Sequence, residues 1–188
     1  MTGSEQRTGP DDGQQPAPVN PSGPPPDKQQ AHLTHLDDRG AARMVDVSGK
    51  AVTVRQATAR GRVLTCARVI EALRGSSPNQ VPKGDALAVA RLAGIQAAKR
   101  TPELIPLAHP IAIHAVNVDL TVTDDGVDIE ATVRTADRTG IEMEALTAVS
   151  VAGLALVDMI KALDQHTRIT DIRVVAKSGG RRGDWTAP

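Results

Sequence analysis

Aromatic residues are almost missing from this sequence, which has no phenylalanine or tyrosine and a single tryptophan, Trp185. Sheets that bind single-stranded nucleic acid stack the bases on aromatic side chains, so the sequence excludes a stacking platform of that kind. The core must instead be built from valine, leucine, isoleucine, alanine and methionine, which are mostly smaller side chains. We therefore expect part of the stability to come from burial between subunits of a homo-oligomer.

Cysteine, net charge and long apolar runs are also scarce. Cys66 is the only cysteine, which excludes an internal disulfide and fits a reducing cytoplasm. Lys and Arg number 22 and Asp and Glu number 22, so no net field favours nucleic acid or an anionic membrane. No apolar secretion signal opens the chain, and no uncharged apolar window reaches the length that a bilayer span needs. These absences predict a soluble, cytoplasmic protein that binds any anion through local charges.

The first 32 residues predict a disordered leader. Seven of the 13 prolines fall between Pro10 and Pro26, among Gly, Gln, Ser and Asp. Such a composition cannot bury enough apolar surface to offset chain entropy. An H-x-x-H pair, His32 and His35, falls at the frayed start of the domain, so no metal site is expected there. Residues 33–188 should then form a single domain.

The first half of this domain predicts two strands and then helices. Residues 42–49 and 51–65 are rich in β-branched residues, which favour strands. Residues 66–75 predict a short helix, and Asp85 is a good N-cap for a second helix, with an apolar stripe formed by Val89, Leu92, Ala93 and Gln96. The sequence "TPEL" predicts a third, short helix with Thr101 as its cap.

The second half predicts a hairpin, a long helix and a last strand. Alternating aliphatic residues on either side of "DDG" indicate a β-hairpin over residues 114–136. Residues 140–164 predict a long helix, and residues 169–180 a closing strand. The order β-β-α-α-β-β-α-β predicts an α+β fold, an antiparallel sheet covered by helices that is ferredoxin-like in its last part.

Charged residues stand out at both ends of the apolar long helix. Glu142 and Glu144 lie at its start, and Asp158 and Lys161 share a face near its end. The latter two could be a surface ion pair of little energetic value, or part of a site. Glu144 and Asp158 are about 21 Å apart along a straight helix at 1.5 Å per residue. Either they serve different purposes, or a second subunit brings them together at an interface.

The aliphatic stretch "LIPLAHPIAI" contains one histidine, His109, followed by Pro110. The proline favours an extended backbone at His109, which holds the ring at a corner before the next strand. The ring could be a core histidine bonded to a carbonyl. It could also be a proton donor or acceptor, or a ligand for a phosphate or a purine-like edge.

Cations appear where the chain turns. Lys83 precedes the N-terminus of a helix, and Lys177, Arg181 and Arg182 surround glycines in "AKSGGRRGD". Fixed positive charge beside flexible backbone suits phosphate binding, although each cation could equally be solvated loop charge. The P-loop and dinucleotide-binding glycine patterns are absent. Together these features modestly favour a nucleotide or polyphosphate ligand.

Four segments carry a resemblance to a known family: "MVDVSGKAVTVR", "KGDALAVARLAGIQAAKRTPELIPLAHP", "TGIEMEALTAVSVAGLALVDMIKAL" and "AKSGGRRGDW". The chain resembles the MoaC-type cyclic pyranopterin monophosphate synthases of molybdenum cofactor biosynthesis over about residues 33–185. The resemblance implies a lyase that converts (8S)-3′,8-cyclo-7,8-dihydroguanosine 5′-triphosphate to cyclic pyranopterin monophosphate and diphosphate. It implies a ferredoxin-like fold, a homohexamer built as a trimer of dimers, and active sites at the dimer interface. It implies no required cofactor, and leaves open Mg²⁺ bound to the substrate triphosphate.

The resemblance also assigns site residues. It implies catalytic roles for Asp158, Lys161, Lys83 and His109. It implies substrate binding by a larger set: Leu107, Ala108, His109, Met143, Glu144, Glu142, Lys177 and Arg55. Many members have cysteine where this chain has Ala108, so a thiol is not expected to be required. The alternatives are a non-catalytic nucleotide- or RNA-binding module, disfavoured by the missing aromatics, and an oligomeric partner protein of the same pathway.

Overall fold

Strand-forming sequence alternates with helical sequence along the chain, and the computed structural model follows that alternation. It describes residues 36–37, 39–75, 85–181 and 183–188, all within one compact unit. The elements are β1 (Thr53–Leu64), α1 (Ala67–Leu73), α2 (Ala86–Ala98), α3 (Thr101–Leu104), β2 (Ile113–Val122), β3 (Gly126–Asp137), α4 (Glu142–Ile160), β4 (Arg168–Ser178) and β5 (Trp185–Thr186). The predicted leader, 1–32, lies outside the described residues.

The strands form one five-stranded sheet in the order β2-β3-β1-β4-β5, and every neighbouring pair is antiparallel. Strands β1 to β4 with α2 and α4 give the β-α-β-β-α-β arrangement of ferredoxin-like folds. The predicted α+β class and the hairpin at "DDG" are therefore confirmed. On β1 the buried residues alternate, so that Ala57, Ala59 and Val63 face the helices.

Helix α4 packs on this buried face of the sheet, and α2 packs against α4. Small residues make the helix contact close: a Cβ added at Gly94 would lie 2.8 Å from the backbone oxygen of Ala148 and 3.1 Å from Cβ of Ala152.

The predicted apolar stripe of α2 is wrong. Val89 and Leu92 are exposed, and α2 instead buries the residues Ala86, Ala90, Gly94, Ala97 and Ala98. Close approach of two backbones selects the face with the smallest side chains.

The strand predicted over residues 42–49 is also wrong. This segment has only an isolated bridge between Ala42 and Leu36 and a turn at Ser48. Most of its residues are exposed, so no sheet face buries its β-branched residues. Thr101 is not a cap but the first residue of α3. Its buried hydroxyl donates to the oxygen of Ala98 at 3.0 Å.

Other predicted details agree with the structure. Asp85 caps α2 by accepting a hydrogen bond from the nitrogen of Ala88 at 2.9 Å, and α1 ends before Gly75, whose φ is +72°. The long helix begins two residues later and ends four residues earlier than the range predicted for it, 140–164. Strand β5 was not predicted, because two residues carry too little pattern.

No apolar segment long enough to span a bilayer was expected from the sequence, but helix α4 reaches that length. At 19 residues with a mean hydropathy of 1.7 over its most apolar window, it is long and apolar enough to cross a bilayer by length and composition. However, 56% of that window is buried inside the protein, as in the core helix of a sheet-and-helix fold. Its packing against both α2 and the sheet accounts for the apolar sequence.

Candidate active site

A cavity of about 880 Å³ opens beside the N-terminal end of α4. This volume suits a small-molecule ligand of nucleotide size. Three structural elements supply its walls: the start of β1, the segment between α3 and β2, and the end of β4 with the glycine loop after it. The fourth wall comes from the segment 43–51, which we call the strap and of which Val45, Val47, Lys50 and Ala51 line the cavity.

Eight residues that the sequence pointed to line this cavity together: Arg55, Leu107, Ala108, His109, Glu142, Met143, Glu144 and Lys177. Arg181 also lines it. Lys83 and Arg182 lie outside the described residues. Asp158 and Lys161 are elsewhere, at the other end of α4, where Lys161 Nζ and Asp158 Oδ1 form an ion pair at 2.8 Å. A single chain therefore brings together all of the predicted site residues that the structure describes except these two.

An ion pair fixes one side of the cavity. Lys177 Nζ donates to Glu142 Oε1 at 2.9 Å, and both side chains are about a quarter exposed, at 28% and 27%. Burial alone would raise the pKa of Glu142, but the hydrogen bond from Lys177 and the nearby charge of Arg55 outweigh it. The pKa of Glu142 is therefore lowered, and Glu142 is an anion that neutralises Lys177.

Glu144 lies two residues on and has a different environment. Only 2% of it is exposed. Burial, with a smaller contribution from the negative charge of Glu142, raises its pKa to about 7. A carboxyl group with a pKa near neutrality can both give and accept a proton at physiological pH. Two acids that are two residues apart are thus prepared for different tasks.

Arg55 is a residue of β1, and its side chain lies next to the glycine loop that follows β4. Its Nε donates to the backbone oxygen of Asp137 at 2.9 Å, which orients the guanidinium. Gly179 and Gly180 have φ of +83° and +77°, a region that residues with a Cβ rarely adopt. A Cβ at Gly180 would also overlap the Arg55 guanidinium. The glycines in "AKSGGRRGD" thus let the backbone pass directly over this arginine.

His109 reaches the strap. Its Nε2 lies 2.7 Å from the backbone oxygen of Val45. A carbonyl oxygen only accepts, so Nε2 carries the proton. The two sequence interpretations are therefore compatible: one ring nitrogen bonds a carbonyl, while the half-buried ring lines the cavity.

Among the cavity residues missed in the sequence are Lys50, Thr53 and Arg138. Lys50 follows a turn in the strap, and Arg138 follows β3. A cation where the chain turns was the signal that identified Lys177 and Lys83, and it also fits Arg138, which lies between β3 and α4. For Thr53, an ordinary strand residue, the sequence contains no such signal.

The charge of the cavity favours an anion. Its described lining residues include five cations, Lys50, Arg55, Arg138, Lys177 and Arg181, against the two carboxylates of Glu142 and Glu144. One of those carboxylates pairs with Lys177, and the other is partly protonated near pH 7. Among the described residues there is no group of three or more His, Cys, Asp or Glu that could hold a metal ion. The arrangement can bind a polyanion and exchange protons with it.

The fold and the cavity define an α+β protein with a cationic, acid-containing site for a small polyanionic molecule. Comparison with known proteins gives the family: the MoaC family model matches residues 44–180, so this chain belongs to the MoaC family. A "Cyclic pyranopterin monophosphate synthase" of Streptomyces coelicolor is 64% identical over 166 residues, which cover 88% of this chain and 95% of that protein.

More distant relatives carry the same description. "Cyclic pyranopterin monophosphate synthase 2" of Mycobacterium tuberculosis is 57% identical over 160 residues, or 85% of this chain and 94% of that protein. A "Cyclic pyranopterin monophosphate synthase" of Parvibaculum lavamentivorans is 55% identical over 157 residues, or 82% of this chain and 96% of that protein. The similarity to each relative extends over almost all of that protein.

Proposed function

We propose that this chain is a lyase that converts (8S)-3′,8-cyclo-7,8-dihydroguanosine 5′-triphosphate to cyclic pyranopterin monophosphate and diphosphate, an early step of molybdenum cofactor biosynthesis. The observation that carries the proposal is the convergence of eight residues suggested by the family resemblance on one cationic cavity. We place the activity in residues 33–188 and the protein in the cytoplasm. No cofactor is required in this proposal, and Mg²⁺ would enter only with the substrate triphosphate.

The residue types in the cavity suit this chemistry. Opening the purine's five-membered ring and forming a pyrazine needs proton transfers, to each of which a positioned acid or base contributes about 10²- to 10⁴-fold. In our proposal Asp158 and Lys161 carry out transfers, and Glu144 binds the substrate. Release of diphosphate develops negative charge, which fixed cations stabilise. We assign that role to Lys83, Lys161 and Lys177.

His109 has a more defined part in this proposal. Since its Nε2 donates to the strap, only Nδ1 is available to the substrate. We propose that Nδ1 accepts a hydrogen bond from the guanine-derived ring or, when protonated, donates one to the triphosphate. Leu107, Ala108 and Met143 give the ring an apolar contact surface.

Asp158 and Lys161 require a second subunit in this proposal, because they lie at the opposite end of α4 from the cavity. Helix α4 carries an exposed stripe that contains Met143, Leu154 and Asp158. Met143 is 42% exposed and Leu154 is 60% exposed, and the side chain of Asp158 is 55% exposed. Their spacing places them on one helix face. Leu92 of α2 is 66% exposed, so it adds a large aliphatic side chain to the exposed surface of the two helices.

A twofold contact through this stripe would complete two sites at once. An axis passing near the middle of α4 would place the Asp158 end of each helix beside the Met143 end of the other. Each cavity would then receive Asp158 and Lys161 from its partner. We therefore propose a homodimer joined through α4, and a hexamer built from three such dimers.

The direct test is turnover by the purified chain alone. Enzymatically prepared cyclised GTP is incubated with the protein, and pyranopterin and diphosphate are both measured. Stoichiometric formation of the two products supports the proposal. A chain that binds the substrate without converting it would be a non-catalytic partner protein, and the proposal would be wrong.

Two variants test the proposed roles. Asp158→Asn should lose turnover by about 10²-fold or more while remaining folded, and near wild-type turnover would remove Asp158 from the chemistry. Lys83→Ala should lose both turnover and part of the substrate affinity. If it lost turnover with normal affinity, Lys83 would act in the chemistry and not in holding the phosphates.

Subunit mixing tests the shared site. Glu144→Ala and Asp158→Ala proteins, each inactive alone, are unfolded together and refolded as a mixture. If Glu144 and Asp158 act across the interface, half of the dimers are mixed and one site in each is intact, so about a quarter of wild-type activity returns. Recovery should be absent if each site is formed within one chain.

A further inference from the structure

The strap has a fixed position although it is not part of the sheet. Its backbone oxygens accept two side-chain hydrogen bonds from other cavity walls: His109 Nε2 to Val45 at 2.7 Å, and Arg138 Nε to Lys50 at 2.9 Å. Inside the strap, the nitrogen of Ser48 donates to Asp46 Oδ1, and the nitrogen of Lys50 donates to the oxygen of Val47. The turn that precedes Lys50 is therefore internally bonded and attached to the cavity at both ends.

Lys50 is the charged residue of the strap that lines the cavity. Within the part of the chain that the structure describes, no carboxylate lies within ion-pair distance of its Nζ. The other two described lysines of the proposed site differ, because Lys177 pairs with Glu142 and Lys161 pairs with Asp158. An ammonium group that is not offset by a neighbouring carboxylate contributes its full charge to an incoming anion.

Arg138 acts on Lys50 through the backbone. Its own nitrogen donates to Asp137 Oδ1 at 2.6 Å, and its Nε holds the oxygen of Lys50. The Arg138 side chain is thus bonded through Nε to the backbone of Lys50. Loss of this bond would free the C-terminal end of the strap while leaving the other cations of the cavity in place.

We propose that Lys50 is a further substrate-binding residue that contacts the phosphate oxygens of the substrate, and that Arg138 is the positioning residue that holds it there. This inference rests on the proposed function for the identity of the substrate. The recognition chemistry is simpler, since any polyphosphate that enters the cavity offers the oxygens that Lys50 needs. Lys50 stabilises the bound polyphosphate and is not required for the proton transfers.

The first experiment measures binding without turnover. Inorganic triphosphate is titrated into the full-length protein and into Lys50→Ala, Lys50→Arg and Arg43→Ala proteins by calorimetry. A hydrogen bond to a charged group is worth enough for Lys50→Ala to weaken triphosphate about ten-fold. Lys50→Arg keeps most of the affinity. Arg43→Ala is the matched control, because Arg43 is an exposed strap cation that does not line the cavity.

A second experiment separates binding from chemistry. With the cyclised GTP substrate, Lys50→Ala should raise KM about ten-fold and leave kcat within about two-fold of the wild type. Arg138→Lys, which keeps the positive charge in the cavity but removes the guanidinium Nε, should also weaken triphosphate binding, and should have little further effect in a Lys50→Ala background, since Nε acts through Lys50. Full additivity of the two substitutions would overturn the positioning role of Arg138.

The outcomes distinguish this inference from the proposed function. If Lys50→Ala binds triphosphate as tightly as Arg43→Ala does, Lys50 is not a phosphate contact, whatever the wild-type protein catalyses. If Lys50→Ala loses kcat with unchanged KM, the assignment to binding is also wrong. If the wild type makes no pyranopterin, the proposed function fails while the triphosphate titration still decides the role of Lys50.

Discussion

Nε2 of His109 lies 2.7 Å from the backbone oxygen of Val45, and the two residues are 64 positions apart in the sequence. This hydrogen bond joins the corner before β2 to the strap, another wall of the cavity. It also fixes the tautomer of the neutral ring, with Nδ1 as the remaining acceptor. One histidine thus has a structural nitrogen and a nitrogen available to a ligand.

Substitution of His109 should separate these two functions. A glutamine amide can place its nitrogen near the position of Nε2, so His109→Gln should keep the bond to Val45, whereas His109→Ala should lose it. We expect hydrogen exchange of the strap amides to quicken in His109→Ala alone. Turnover should fall in both proteins, because both lack Nδ1. Wild-type turnover in His109→Gln would limit His109 to holding the strap.

Glu144 should make stability depend on pH between about 4.5 and 7. Its pKa is about 7 when folded and 4.5 in the ordinary case, so over this window the folded state binds more protons than the unfolded state. The free energy of unfolding therefore falls as pH rises, by up to about 3 kcal/mol from this group. Urea unfolding of wild type and Glu144→Gln at pH 5 and pH 8, at one protein concentration, checks this. The same pH dependence in both proteins would contradict it.

The Glu142 and Lys177 side chains should act as a unit. Each orients the other at 2.9 Å, so Glu142→Gln and Lys177→Met should each lower kcat/KM by about ten-fold, and the double variant should lose little more. The four proteins of this double-mutant cycle are compared with the cyclised GTP substrate. A double variant that loses the product of the two single effects would show that the residues act independently.

Thr53 should be a site where a simple substitution stabilises the protein. Its Oγ1 is buried and lacks a hydrogen-bond partner among the described residues, and a buried hydroxyl in that state costs about 1 to 3 kcal/mol. Thr53→Val, which is nearly isosteric, should raise the free energy of unfolding by about 1 kcal/mol. Thr58→Val is the matched control on the same strand and should lower it, because Thr58 Oγ1 bonds Thr132 Oγ1 at 2.9 Å. Equal effects in urea unfolding would contradict the prediction.

The exposed stripe of α4 should hold subunits together. Leu154 is 60% exposed on a helix whose opposite face is fully buried, so Leu154→Arg should place a charge in the proposed dimer contact and shift the protein to smaller species in sedimentation. Activity should fall with the dimer. Glu71→Arg, a charge change at an exposed position of α1, should leave sedimentation unchanged. A Leu154→Arg protein of wild-type size would argue against a contact through α4.

Local pattern was enough to predict most elements of the fold. The cap at Asp85, the end of α1 at Gly75 and the turn of the β2–β3 hairpin each depend on a few neighbouring residues, and each was found as predicted. The α+β class followed from the order of these elements. The strand predicted over residues 42–49 failed because its β-branched residues have local strand propensity but no neighbouring strand to pair with.

Long-range packing decided the rest, because it depends on residues that the local pattern does not include. The sequence determined where most helices and strands form, and its motifs identified the family and eight of the cavity residues. Only the tertiary structure decided which face of α2 is buried, since the small residues around Gly94 let α2 approach the backbone of α4. It alone joined His109 and Arg138 to the strap and brought Lys50 to the cavity, through hydrogen bonds that span 64 and 88 positions of sequence.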